Sequence, residues 1–374
     1  MVGSGRYLVA AVIHGSPAFE TAIAESHVLA VKCEAWIAGR RVASDLPLRE
    51  DASISVDSSR FVRRSARLSF MEETASSAES LRSVLNRPGC ELRIWRGVQL
   101  KFGATEYLPI HWGLADKISG AWPAKTLAVE CPDLGQKVAY DRFPNPRRSG
   151  AGLTVQQQIQ VLVGESVPRL RFIDTTGDTT VVRSVVWDRD RNTAIDTLAV
   201  SIGAESFFSP QGQWVTRPVQ TLVGIPMLRV CEGQALITAS DDTDWSSVRN
   251  DIVVSCERAD GTKLAGRSTD NDPTSPTWID GPLGRRTGFY ASSLFTTTAQ
   301  CNTTAKALRA RMAGSRVSVA FDALVHPGLE AGDRIDVTHD GRTARIVLDS
   351  FDLPVFGAAM RAQGRMQIDP AGMD

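Results

Sequence analysis

The sequence predicts a mainly β protein, α+β overall, with two β-rich regions flanking a small α+β domain. Three observations predict it. Apolar and polar residues alternate in short segments from His27 to Tyr140. The same alternation returns from Leu222 onward. Between them, over about 150–220, the apolar period becomes helical.

In chain order, residues 1–26 read as an N-terminal arm. The apolar run Arg6–Ile13 is too short for a signal peptide and is ended by His14-Gly-Ser-Pro17, so 5–26 reads as a short helix that docks on something. The first β region spans 27–145. Val28–Ile37, the turn Ala38-Gly39-Arg40 and Arg41–Leu46 form a hairpin. Ala52–Asp57, Arg64–Phe70, Glu91–Arg96, Leu108–Leu114 and Thr126–Cys131 continue the series at the spacing of a barrel or sandwich.

A linker rich in Pro, Gly and Arg, Arg142–Gly152, leads into the α+β domain at 150–220. Thr154 can cap a helix over Val155–Val163 that buries Val155, Ile159, Leu162 and Val163, with Gly164 as its stop. A second helix fits Arg191–Ile202, with Asp188 and Asp190 at its start favouring the helix dipole. Glu205–Phe208 and Gln213–Arg217 form a hairpin around Ser209–Gly212.

The second β region spans 221–374. Ala235–Ala239, Asp251–Glu257, Val317–Phe321, Arg334–Thr338, Arg345–Asp349 and Met360–Ile368 read as strands, and Asp340-Gly341 as a hairpin turn. A helix near 303–312 buries Ala305, Leu308 and Met312. The irregular stretch Ser268–Gly288 is long for a structureless connection, which suits a segment packed on a neighbour.

The 374 residues carry 42 basic and 42 acidic side chains, so the formal charge is zero. That excludes the basic excess of a free nucleic-acid binder. The 35 Arg and 7 Lys reflect codon bias more than chemistry, though Arg also suits interface ion pairs. The six cysteines, Cys33, Cys90, Cys131, Cys231, Cys256 and Cys301, are scattered without a zinc-ligand pair, and read as buried reduced thiols. The five histidines form no HExxH. No stretch approaches the ~20 apolar residues of a membrane span.

Searches for chemistry return little. GxSxG, GxGxxG and Walker A loops are absent. Gly150-Ala-Gly152 reads as linker, not phosphate loop. Asp241, Asp242 and Asp244 before Trp245, and Asp270, Asn271 and Asp272 before Pro273, offer oxygen ligands for Ca²⁺ but read as solvated turns. Trp36, Trp95, Trp112, Trp187 and Trp214 fall in or near strand patterns and read as packing, not a sugar platform. The reading assigns no catalytic, cofactor-binding or metal residue and expects no cofactor and no enzyme activity.

Four stretches, in order, resemble the tail-tip or baseplate hub proteins of tailed bacteriophages, notably the minor tail proteins of actinobacterial phages. The first is Arg6-Tyr-Leu, Glu34–Ala43 and Arg63–Ser69. Glu91–Gly97 is the second. The third runs from Val186–Arg191 through Ser201–Glu205 to Val215–Pro218. The fourth comprises Asn250–Ser255, Asp272–Thr277, Gly281–Gly284, Phe289–Ser293 and His326–Arg334. The resemblance implies a virion protein made in the bacterial host cytoplasm. It implies a homotrimer whose two related tube-like barrels form a pseudo-sixfold ring, adapting a hexameric tail tube to a threefold tip. The α+β domain then sits at the periphery or toward the tip. Implied partners are the distal tail or tail tube protein, the tape-measure terminus and tip fibre or spike proteins, with DNA passing through the lumen during ejection without specific binding. Acidic residues are then expected toward the channel and arginines toward subunit contacts. The chain ends at Asp374, soon after the second barrel, so the resemblance implies no added lysis or receptor-binding domain. The competing readings are a tail-tip cell-wall hydrolase using Asp241 or Asp270, and a carbohydrate- or receptor-binding protein using exposed tryptophans.

Overall fold

A computed structural model describes residues 15–71, 80–101, 103–121, 126–246, 248–257, 261–292, 295, 297–312 and 316–366. The first region comprises α1 (Pro17–Ala24), β1 (Leu29–Ile37), β2 (Arg40–Ala43), β3 (Ser53–Asp57), β4 (Arg64–Met71), α2 (Leu81–Leu85), β5 (Glu91–Gln99), β6 (Thr105–Leu114), β7 (Lys117–Ala121) and β8 (Thr126–Pro132). Ala38 and Gly39, both with positive φ, make the two-residue turn between β1 and β2 that matches strand twist. β4 alternates buried and open positions along its length, as its sequence pattern requires.

The middle of the chain holds α3 (Gly135–Tyr140), β9 (Arg147–Arg148), α4 (Val155–Ser166), β10 (Phe172–Asp174), β11 (Val186–Trp187), α5 (Arg191–Ser201), β12 (Ala204–Phe208) and β13 (Trp214–Pro218). Thr154 and Gln157 close a reciprocal capping box on α4. The helix does not stop at Gly164 as its sequence suggests. Val163 and Val167 are both buried in the same core, which carries the last turn past the glycine. Leu134, Val138, Ile159, Leu162, Ala194, Ile195, Leu198, Phe208 and Trp214 form that core.

The third region comprises β14 (Leu228–Cys231), β15 (Leu236–Asp244), β16 (Asp251–Glu257), β17 (Lys263–Thr269), β18 (Thr287–Ala291), α6 (Thr298–Met312), β19 (Arg316–Leu324), β20 (Arg334–His339), β21 (Arg342–Pro354) and β22 (Ala359–Met366). β16, β17, β18 and α6 form an insert between β15 and β19, with a small core of its own around Ile252, Val254, Phe295 and Cys301. The helix expected at 303–312 begins five residues earlier, at Thr298. The long loop after β17 is ordered by its own polar contacts: Asn250 donates to the carbonyls of Thr277 and Gly284 and accepts from the Arg286 amide.

The architecture is mainly β, as expected, and among the described residues the sheets form no closed barrel. One ten-stranded sheet runs β15-β19-β22-β21-β3-β4-β8-β7, with β20 and β14 added on the far half of β21. It crosses between the two β regions at β21·β3, where Phe351 faces Val56 and Leu353 faces Ile54. A second sheet, β2-β1-β5-β6, packs on the first half. One core serves both regions, with Ile54, Leu68, Phe70, Leu92 and Ile94 packed with Phe321, Ile335, Ile346, Leu348 and Phe351. The last strand ends at Met366; residues 367 and 368 of the sequence reading, like its apolar run Arg6–Ile13, lie outside the described residues.

Candidate functional site

Cross-strand registers place side chains on the long sheet unambiguously, because neighbours in register share a face. One face packs into the core. The other carries Ser240 and Asp242 of β15, Ser318, Ala320 and Asp322 of β19, Arg361, Gln363 and Arg365 of β22, and Ser350 and Asp352 of β21. It continues through Ser55 and Asp57 of β3, Ser65 and Arg67 of β4, Ala128 and Glu130 of β8, and Lys117 and Ser119 of β7. Small Ser and Ala side chains alternate with charged ones. Asp57, Glu130, Asp242, Asp322 and Asp352 oppose Arg67, Lys117, Arg361 and Arg365. This surface is close to charge balance. A shallow cavity of about 390 Å³ lies on it, lined by Ser55, Asp57, Ser240, Asp242, Asp352 and Arg361 among others.

The strand order repeats. β3-β4-β8-β7 and β15-β19-β22-β21 are both four antiparallel strands, each made of the first hairpin partners followed by the last pair in reverse. In this correspondence β21 stands where β7 stands, and β3 where β15 stands. Within the chain β21 pairs with β3. At the ends of the path, β7 and β15 keep their outer edges without a strand partner among the described residues.

Three regions meet at a buried ionic clamp. Arg63 and Arg64 open β4, Glu205 and Arg217 sit on β12 and β13, and Glu330 and Asp333 belong to the turn before β20. Arg217 pairs with Glu205 at 2.7 Å and Asp333 at 3.3 Å; Arg63 pairs with Glu205 at 2.9 Å, and Arg64 with Glu330 at 2.8 Å. Arg63 and Arg217 both donate to the Ala331 carbonyl, and Arg63 lies over the Phe207 ring at 3.9 Å. Burial would raise the Glu205 carboxyl, but Arg63 and Arg217 overcome it and hold it at about 2. Burial raises Asp333 despite Arg217. Burial likewise pushes Asp133 up to about 7, although its carboxylate accepts from the Arg64 and Gly135 amides. Three of the sequence stretches singled out above, 63–69, 201–218 and 326–334, thus converge here. Sequence spacing alone did not bring the three stretches together, since the pairs that join them, Arg63–Glu205, Arg64–Glu330 and Arg217–Asp333, lie more than a hundred residues apart.

The other sequence candidates disperse. Asp241 and Asp242 lie in strand β15, not in a turn, because the pattern up to Asp244 continues the pairing with β19. Asp270 is buried and accepts from Ser275 and Thr277 at 2.5 and 2.6 Å, which makes it a loop organiser. Gly150 donates its amide to Gln158 in the entry to α4. Asp190 is the N-cap of α5 and lies 3.6 Å from Arg142. Trp187 and Trp214 are buried, and Trp36 and Trp112 sandwich Arg93 at 3.7 and 3.5 Å, so both rings already have a stacking partner. Five of the six cysteines are buried, and all six are free thiols. Among the described residues, Glu232, His339 and Asp340 are close enough to share a metal ion, and all three are exposed. No described helix is long and apolar enough to cross a membrane.

No protein-family model and no curated protein sequence matches this chain. Solved structures do match in fold. A tail protein from Neisseria meningitidis MC58 aligns over 90% of this chain and 96% of its own, at 13% identity and a TM-score of 0.62. The 43 kDa tail protein of prophage MuSo2 from Shewanella oneidensis covers 92% and 100%, at 11% identity and 0.58. A prophage tail protein from Listeria monocytogenes EGD-e covers 89% and 94%, at 12% identity and 0.56. The chain therefore has the fold of phage tail proteins across nearly its whole length.

Proposed function

We propose that this chain is the structural hub of a phage tail tip or baseplate, in which three copies close a pseudo-sixfold ring around a DNA passage. The observation that carries the reading is the repeated strand order with one junction already made. Inside the chain, the last strand of one repeat pairs with the first strand of the other. The same rule applied between copies pairs β7 with β15 of the next copy, antiparallel like β21 with β3. A head-to-tail contact of this kind makes a ring when its rotation closes, and closure removes the two open edges that invite uncontrolled pairing.

The fold shared with tail proteins supports this assignment, and so does the surface that lines the ring. A conduit for DNA works without strong phosphate attraction, since each neutralised phosphate adds salt-dependent affinity. Ser, Ala and balanced charge supply a wall of that kind. Partners above and below are tail-tube and tip proteins, and the protein acts as scaffold, not enzyme. Light scattering of the purified full chain tests the reading. Three chain masses per particle are expected; a monomer at all concentrations, including inside isolated tails, contradicts it.

A further inference from the structure

Among the described residues, the insert that interrupts the second repeat is covered on one face only. Ile252, Val254 and Cys256 pack against Cys301, Ala305 and Leu308 of α6. A side chain at Gly266 would strike the α6 backbone, so helix and sheet are in close contact there. α6 in turn leans on α5, where the Thr304 hydroxyl lies 3.4 Å from the carbonyls of Val200 and Ser201. The covered face therefore looks toward the chain's own α+β domain. The opposite face presents Val253, Ser255, Ala265, Ala291 and Phe289, which share register across β17, β16 and β18. Phe289 is 81% exposed, and a cavity of about 440 Å³ lies on this sheet beside Ser255, Lys263 and Ala291.

The insert hangs from β15, one of the two open edges, at the end of the sheet where β19 begins. At the same end of the sheet, on the other open edge, Lys117 of β7 pairs with Glu130, just before β8 hands over to α3. There Tyr140, 61% exposed, donates its hydroxyl to Asp116 at 2.7 Å. The two exposed aromatics thus occupy the same rim on opposite flanks.

We infer that the bare face of the insert, centred on Phe289, docks on a second copy of this chain at the shoulder marked by Tyr140 and Asp116. The inference rests on the head-to-tail ring, because only that arrangement brings the β15 flank of one copy against the β7 flank of the next. An aromatic anchor at the centre of a partly apolar patch is the composition from which interfaces draw most of their affinity.

The test uses the full chain, with light scattering and sedimentation across a concentration series. Phe289→Asp, confirmed as folded by an unchanged thermal melt, is expected to weaken trimer formation by about thirtyfold. In a Cys231→Ser background, the pair Phe289→Cys and Tyr140→Cys is expected to give oxidative cross-links between copies. A wild-type trimer that Phe289→Asp leaves intact, or that yields no cross-link, overturns this docking while the ring survives. A wild-type chain that never trimerises overturns the ring and the docking with it.

Discussion

At the residue scale the clamp around Glu205 is the most sensitive point in the molecule. Removing one partner of a buried ion pair leaves the other charged and unpaired, at a cost of about 3–5 kcal/mol. Glu205→Gln, which takes the carboxylate from Arg63 and leaves Arg217 with Asp333 alone, is expected to lower the unfolding free energy measured in urea at pH 7 by about that amount. The pH dependence has a definite sign. Glu205 titrates at about 2 when folded, against an ordinary 4.5, so its contribution is full above about pH 4.5 and is lost as pH falls toward 2. The shift corresponds to about 3 kcal/mol. The gap between wild type and Glu205→Gln should therefore narrow steadily between pH 5 and pH 2.5, and a gap independent of pH would contradict the assignment. Asp133 works the other way: its raised value removes stability as pH rises from about 4 to 7. Comparing variants at each pH isolates the Glu205 contribution from that opposing trend.

At the element scale, local signals were legible where one periodicity ran unbroken. Thr154 announced α4, Ala38-Gly39 announced the first hairpin, and Asp340-Gly341 announced the turn into β21. The failures have physical causes. Gly164 was overridden by burial of Val163 and Val167. The short strands β9, β10 and β11 carry too few residues to show a period, and β7, with Gly120 in it, alternates weakly. The clamp was invisible because its ions are joined by folding, not by spacing; only the stretches that carry them could be singled out. Two substitutions check element packing. A Cβ at residue 266 would lie 2.4 Å from the Cys301 carbonyl carbon, so Gly266→Ala should force α6 away and cost about 1–3 kcal/mol. It should also raise hydrogen exchange in α6 selectively. Phe19 of α1 is fully buried against Val98 and Leu108. Phe19→Ala is expected to cost about 3–5 kcal/mol if α1 unfolds with the domain. Loss of protection confined to 17–24 with unchanged global stability would show instead that α1 docks independently.

At the scale of the whole molecule, two β regions far apart in sequence make one sheet and one core. Strand pattern reveals faces, not partners, so it could not show that the two regions share a sheet. What the pattern did convey was repetition: two runs of similar strands around a differently built middle. The proposed ring follows from the junction between the repeats. One copy of that junction is satisfied within the chain at β21·β3, and the other is left open at β7 and β15. An image of the assembled ring, at a resolution that separates strands, tests this account most directly. It should show three copies with β7 of each hydrogen-bonded antiparallel to β15 of the next, making an unbroken wall of three times eight strands. A particle in which β7 and β15 remain uncovered, or are covered by a different protein, would contradict it.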